Sequence, residues 1–65
     1  MGITLKAARI NQNMNQQQAA RKIGVSKHTL SNWERGISFP NVEFIKRIES
    51  VYRVQYDDII FFTPQ

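Results

Sequence analysis

Apolar positions recur along the chain at three- and four-residue intervals, in short blocks separated by polar or glycine-containing joints. Leu5 and Ala8 stand one turn apart with Lys6 and Arg9 beside them, and Thr4 can cap the start, which predicts a first helix over about residues 4–12. A second is predicted over 16–23, where Asn15 and Gln18 have capping-box spacing and Gly24 supplies a C-terminal stop. The three consecutive glutamines Gln16, Gln17 and Gln18 lie inside this frame and read as helix rather than as low complexity. Ser26 can cap a third helix over 27–35, which holds no Gly or Pro before Gly36 closes it. After the connection Ile37-Ser38-Phe39-Pro40, Asn41 can cap a fourth helix over 42–52 with Glu43 near its positive end. There Ile45, Ile48, Val51 and Tyr52 form an apolar stripe, while Lys46, Arg47 and Glu49 face water. Residues 56–60 predict a short fifth helix or turn. No strand-like alternation, internal repeat or linker is visible, so the expected fold is all-α: one compact helical domain spanning 1–65.

The third helix has two chemically different faces. At about 100° per residue from Lys27, Ser31 falls near 40°, Arg35 near 80°, His28 near 100° and Asn32 near 140°. Thr29, Trp33 and Leu30 fall near about 200°, 240° and 300°, on the side that can pack. A merely solvated face more often carries Glu and Lys in intrahelical pairs, whereas every group here can donate a hydrogen bond. Lys suits guanine O6 and N7, Asn can pair with adenine N6 and N7, Ser serves base or phosphate, and Arg35 is long enough for a phosphate. The short turn from the second helix is the geometry of a major-groove reader, and a solvent-facing helix is the alternative.

Composition narrows the function. A chain of 65 residues buries only about 60% of its unfolded surface, and with no Cys it has no disulfide support, which favours closely packed helices. Without thiols, and with a single His, no metal site or cofactor is expected. The net charge of +4 is uneven: residues 1–40 carry Lys6, Arg9, Arg21, Lys22, Lys27 and Arg35 against Glu34 alone, and the remainder is slightly acidic. Such asymmetry suits a polyanion such as nucleic acid or a membrane surface. The first residues lack a secretory apolar segment, and the longest apolar run, Ile59-Ile60-Phe61-Phe62, is far short of a membrane span. A cytoplasmic protein with no membrane partner is therefore expected. Asp57 and Asp58 are adjacent and suit the start of a last helix better than an acid–base pair, so no enzymatic activity is expected.

Met14-Asn15-Gln16, Ala20, Ile23-Gly24-Val25-Ser26, Leu30-Ser31-Asn32-Trp33-Glu34-Arg35-Gly36 and Pro40 together resemble the lambda-repressor-like helix-turn-helix family, which includes phage Cro and CI repressors and xenobiotic-response-element regulators. The resemblance covers about residues 3–60. It implies a five-helix bundle in which the second and third helices form the helix-turn-helix, with the third in the major groove. Ala20 matches the small residue where those helices cross, and Gly24 matches the turn, where a positive φ is cheap only for Gly. Lys27, His28, Ser31 and Asn32 match positions that contact bases, and Asn15, Gln16, Thr29 and Arg35 positions near phosphates. For His28, solvated surface, base donor and phosphate contact all stay open. Arg9 and Glu34 match a structural ion pair, and Trp33 resembles a core anchor rather than a stacking platform.

The chain also departs from the family pattern. Asn13 and Arg53 stand where glycine is common, Gln55 where Ser is the usual cap, and Ala8 and Ala19 where leucine is frequent. The core is accordingly expected to be lean. The resemblance implies a transcriptional regulator, by expectation a repressor, that binds an inverted-repeat operator in double-stranded DNA as a homodimer, with no small-molecule ligand. Ile59, Ile60, Phe61 and Phe62 either supply dimer contacts or fold back on the first and fourth helices. A protein-interaction module on the same fold, an antitoxin or adaptor with DNA binding secondary or absent, is the competing expectation.

Overall fold

A computed structural model describes residues 2–61. Its elements are β1 (Ile3–Thr4), α1 (Leu5–Asn11), α2 (Gln16–Ile23), α3 (Lys27–Arg35), α4 (Val42–Tyr52), a single 3-10 turn (Tyr56–Asp58) and β2 (Ile59–Ile60). Each α-helix starts at a side chain that accepts one of its otherwise unpaired amides. Thr4 Oγ1 accepts from Ala7 at 3.1 Å, Ser26 Oγ from Thr29 at 3.1 Å and Asn41 Oδ1 from Phe44 at 3.0 Å. At α2 the capping box closes in both directions: Gln18 N donates to Asn15 Oδ1 at 2.8 Å and Asn15 N to Gln18 Oε1 at 2.9 Å.

The helix ends follow from backbone conformation. Gly24 ends α2 at φ 95°, where a side chain would be strained and would press on the Arg47 guanidinium. Asn13 and Arg53, the two replacements of a common glycine, both sit at positive φ, 59° and 56°. Asn tolerates this conformation, whereas Arg53 bears it at a cost of about 1–2 kcal/mol.

The expected fifth helix does not form, and the all-α expectation is corrected to four α-helices plus a two-stranded parallel pair among the described residues. Ile3 pairs with Ile59 and Thr4 with Ile60. Tyr56–Asp58 completes only one 3-10 turn, too little to nucleate a helix. The β-branched Ile59 and Ile60 then extend, Ile59 entering the core at 9% exposure and Ile60 pointing outward at 48%. Two residues are too few for an alternation to be recognised, and the partner strand lies at the other end of the sequence.

The core joins Leu5 and Ala8 of α1, Ala19, Ala20 and Ile23 of α2, Leu30 and Trp33 of α3, Ile48 and Tyr52 of α4, and Ile59. Ala8, Ala19 and Ala20 are fully buried yet small, so α2 packs closely on α3 and α4 and the core stays lean. Among the described residues, no helix is long and apolar enough to cross a membrane.

Candidate nucleic-acid interface

α3 divides as its periodicity predicts. Leu30, Trp33 and Glu34 are buried, Lys27, His28 and Arg35 are exposed, and Ser31 and Asn32 are half-buried beside them. The inner face is held at its C-terminal half by the Trp33 ring, whose centroid is 5.6 Å from that of Phe44 on α4.

Glu34 ties three elements together. Its Oε2 accepts from Arg9 Nε at 2.8 Å, and its Oε1 from Arg9 Nη2 at 3.2 Å and from Gln16 Nε2 at 3.0 Å. Arg9 Nη1 in turn donates to the Met14 carbonyl at 3.0 Å. The side chains of Arg9 and Glu34 are 9% and 5% exposed, so the pair is desolvated as well as bidentate. It connects α1, the entry to α2 and the end of α3, and thereby sets the angle at which the exposed face of α3 is presented. Beneath it lies Tyr52. Burial, reinforced by the Glu34 carboxylate and opposed by the Arg9 guanidinium, pushes its phenol above the ordinary range. The Tyr52 hydroxyl is buried with no hydrogen-bond partner among the described residues.

Each candidate contact residue has a definite place. Lys27 and His28 open the exposed face, and Asn32 accepts from Arg35 Nη2 through Oδ1 at 2.9 Å. Ser31 lies half-buried on the same helix. Thr29 is half-buried, and its Oγ1 accepts from Ser26 Oγ at 3.0 Å, so this hydroxyl is part of the cap of α3. Asn15 uses Oδ1 in its own cap, which leaves its amide group as a donor. The Gln16 side chain is turned inward to Glu34, leaving one amide hydrogen and the free backbone N–H of the first turn of α2.

Sequence reasoning passed over two further residues on this side. Gln17 and Arg21, four positions apart on α2, line an open depression of about 410 Å³ with Ala20, Val25 and Lys27. Their i,i+4 spacing and polarity were the available signal. Arg47 was also missed: its Nη1 donates to the Ile23 carbonyl at 3.2 Å, satisfying the end of α2 at the turn. Nothing local indicates that contact, because the two residues are 24 positions apart.

The apolar C-terminal run is divided. Ile59 belongs to the core at 9% exposure and pairs with Ile3 of β1. Ile60 is exposed, and Phe61 is half-buried with its ring centroid 6.0 Å from those of Phe39 and Tyr56. Phe62 lies outside the described residues.

A family model described as helix-turn-helix matches residues 5–59. The HTH-type transcriptional activator BcrR of Enterococcus faecalis is 34% identical over 56 residues, covering 86% of this chain and 28% of the relative. The HTH-type transcriptional regulator ImmR of Bacillus subtilis is 30% identical over 60 residues, 92% of this chain and 47% of the relative. The antitoxin PezA of Streptococcus pneumoniae is 33% identical over 60 residues, 92% of this chain and 38% of the relative. The chain thus spans less than half the length of these relatives. No solved structure gives a significant match. With α2, the Gly24 turn and a half-exposed α3 in the arrangement described, the chain belongs to the helix-turn-helix family of the Cro/CI, xenobiotic-response-element type.

Proposed function

We propose that this protein is a sequence-specific, double-stranded-DNA-binding transcriptional regulator that acts as a repressor, reading an inverted-repeat operator through α3 as a homodimer. One observation carries the reading: the two-faced α3, anchored by Leu30, Trp33 and Glu34 and presenting the donors of Lys27, His28, Asn32 and Arg35 outward. Lys27, His28, Ser31 and Asn32 contact base edges, and Asn15, Gln16, Thr29 and Arg35 the flanking backbone, with Gln17 and Arg21 extending that set. Two of the relatives are named as transcriptional regulators, one of them as an activator. Repression needs only that the bound domain exclude other proteins from the operator, whereas activation requires a further contact with the transcription machinery.

A second copy suits the face formed by Val42, Ile45 and Tyr56, which Lys46 and Glu49 flank. A two-fold contact there can set Lys46 of one protomer against Glu49 of the other. The relative named as an antitoxin supports a second reading, in which the same fold holds a protein and DNA is secondary.

Selection of bound duplexes from a random pool at near-physiological salt tests the proposal. Two related half-sites with centres about 10 base pairs apart are expected. A single half-site would remove the dimer and keep the DNA reading. No enrichment by the folded protein would reject the DNA reading and favour the protein-binding one.

A further inference from the structure

The exposed stripe of α3 is linked side chain to side chain. Arg35 Nη2 donates to Asn32 Oδ1 at 2.9 Å, and Asn32 Nδ2 lies 3.4 Å from His28 Nε2. The three residues are spaced by four and three positions, at which side chains on one helix meet. A guanidinium has only donors, so the carboxamide atom facing Arg35 is the oxygen, and the amide group points toward His28. That contact in turn needs a lone pair on Nε2, which places the proton of a neutral His28 on Nδ1. From its N-terminal to its C-terminal end, the stripe reads imidazole acceptor, amide donor, carbonyl acceptor, guanidinium donors.

The network engages one hydrogen of the Asn32 amide and one lone pair of its oxygen, leaving one of each. One donor beside one acceptor, in fixed order, complements N7 and N6 of adenine in the major groove. Guanine presents O6, an acceptor, where adenine presents its N6 donor. A carboxamide free to turn over can bring its amide group to O6, whereas one held by Arg35 meets O6 with its own oxygen. Resting on the DNA-reading function proposed above, the geometry points to Arg35 and His28 as positioning residues that hold the Asn32 carboxamide in the orientation that reads adenine and rejects guanine. Arg35 then contributes to base choice as well as to backbone affinity.

Two measurements test this, one without DNA. On the ¹⁵N-labelled chain at about pH 8, long-range ¹⁵N–¹H spectra are expected to show the neutral His28 ring protonated on Nδ1. Arg35→Met should also shift the Asn32 side-chain amide resonances. A predominantly Nε2-protonated ring, or Asn32 resonances indifferent to Arg35→Met, would overturn the network whatever the protein binds. The second uses a selected duplex, with adenine exchanged for guanine at the position whose preference disappears in Asn32→Ala. Arg35→Met is expected to narrow the adenine-over-guanine preference about five-fold or more, and Arg35→Lys, which keeps a donor and the charge, to restore most of it. Uniform weakening with the preference intact would confine Arg35 to the backbone and overturn its positioning role. If the folded parent binds no duplex, the DNA-reading function falls and the base-reading role with it, while the spectra still report separately whether the network exists.

Discussion

Arg9→Met is expected to destabilise this domain strongly. Arg9 supplies the Nε donor to Glu34 Oε2 and one of the two donors to Oε1, so its loss leaves a carboxylate that is 5% exposed with Gln16 alone. Stranding one partner of a buried pair costs about 3–5 kcal/mol. Globular domains hold roughly 0.05–0.15 kcal/mol per residue, or about 3–10 kcal/mol for a chain of this size, so the substitution removes a large part of the total. The assay is urea unfolding followed by the fluorescence of Trp33, the sole tryptophan, which is 5% exposed in the folded state. With an m-value of about 1 kcal/mol per molar, the midpoint should fall by about 3–5 M, or the variant should be unfolded without urea. Replacing both charges, Arg9→Met with Glu34→Leu, avoids the stranded carboxylate and leaves only the half-buried Gln16 amide and Met14 carbonyl without their partners. At about 1 kcal/mol each, the double variant should lie within about 2 kcal/mol of the parent and above Arg9→Met alone. A loss below about 1 kcal/mol in Arg9→Met, or a double variant no more stable than the single, would refute the desolvated-pair reasoning.

Other expectations follow from single observations. Arg53→Gly, at φ 56°, should raise stability by about 1 kcal/mol in the same urea assay, and no gain would mean that the left-handed cap of α4 is unstrained. Tyr52→Phe removes a buried hydroxyl without a described partner and should be neutral or stabilising by up to about 1 kcal/mol at neutral pH; a loss of that size would reveal a partner. Because the folded Tyr52 phenol is raised above its ordinary value, the unfolded chain releases that proton first, so the parent's stability should fall as pH rises above about 10. Tyr52→Phe should flatten this alkaline decline, and identical pH curves would contradict the assigned cause. Val42→Glu, at a position 70% exposed beside Ile45 and Tyr56, should weaken pairing on a two-half-site duplex while leaving single half-site binding intact, as sedimentation can measure.

Local sequence carried the helical frame because the determinants of each end lie within a few residues of it. Asn15 with Gln18, Ser26 with Thr29, and Gly24 act over one turn, so the bounds of α2 and α3 were legible before any tertiary contact was considered. The same holds for the faces of α3, since a 3.6-residue period decides which side chains can be buried together. The Arg9–Glu34 pair was available only through the family resemblance, because no periodicity relates residues 25 positions apart.

What the tertiary structure alone decided is the fate of groups whose local preferences are weak or divided. Residues 56–60 are too few to sustain a helix by themselves, and the unpaired edge of Ile3–Thr4 drew Ile59–Ile60 into extended pairing and Ile59 into the core. Gln16 was legible as a residue at the start of α2, but its inward turn depends on where Glu34 is held. The orientation of the Asn32 carboxamide stands between these cases. The spacing of His28, Asn32 and Arg35 brings them together, but only the rotamers show which atom of the amide faces which neighbour. By itself, the sequence determined where helices begin and end and which faces are apolar, because those depend on neighbours along the chain. Strand pairing and buried charge partners depend on neighbours in space, and they were settled only when the helices had packed.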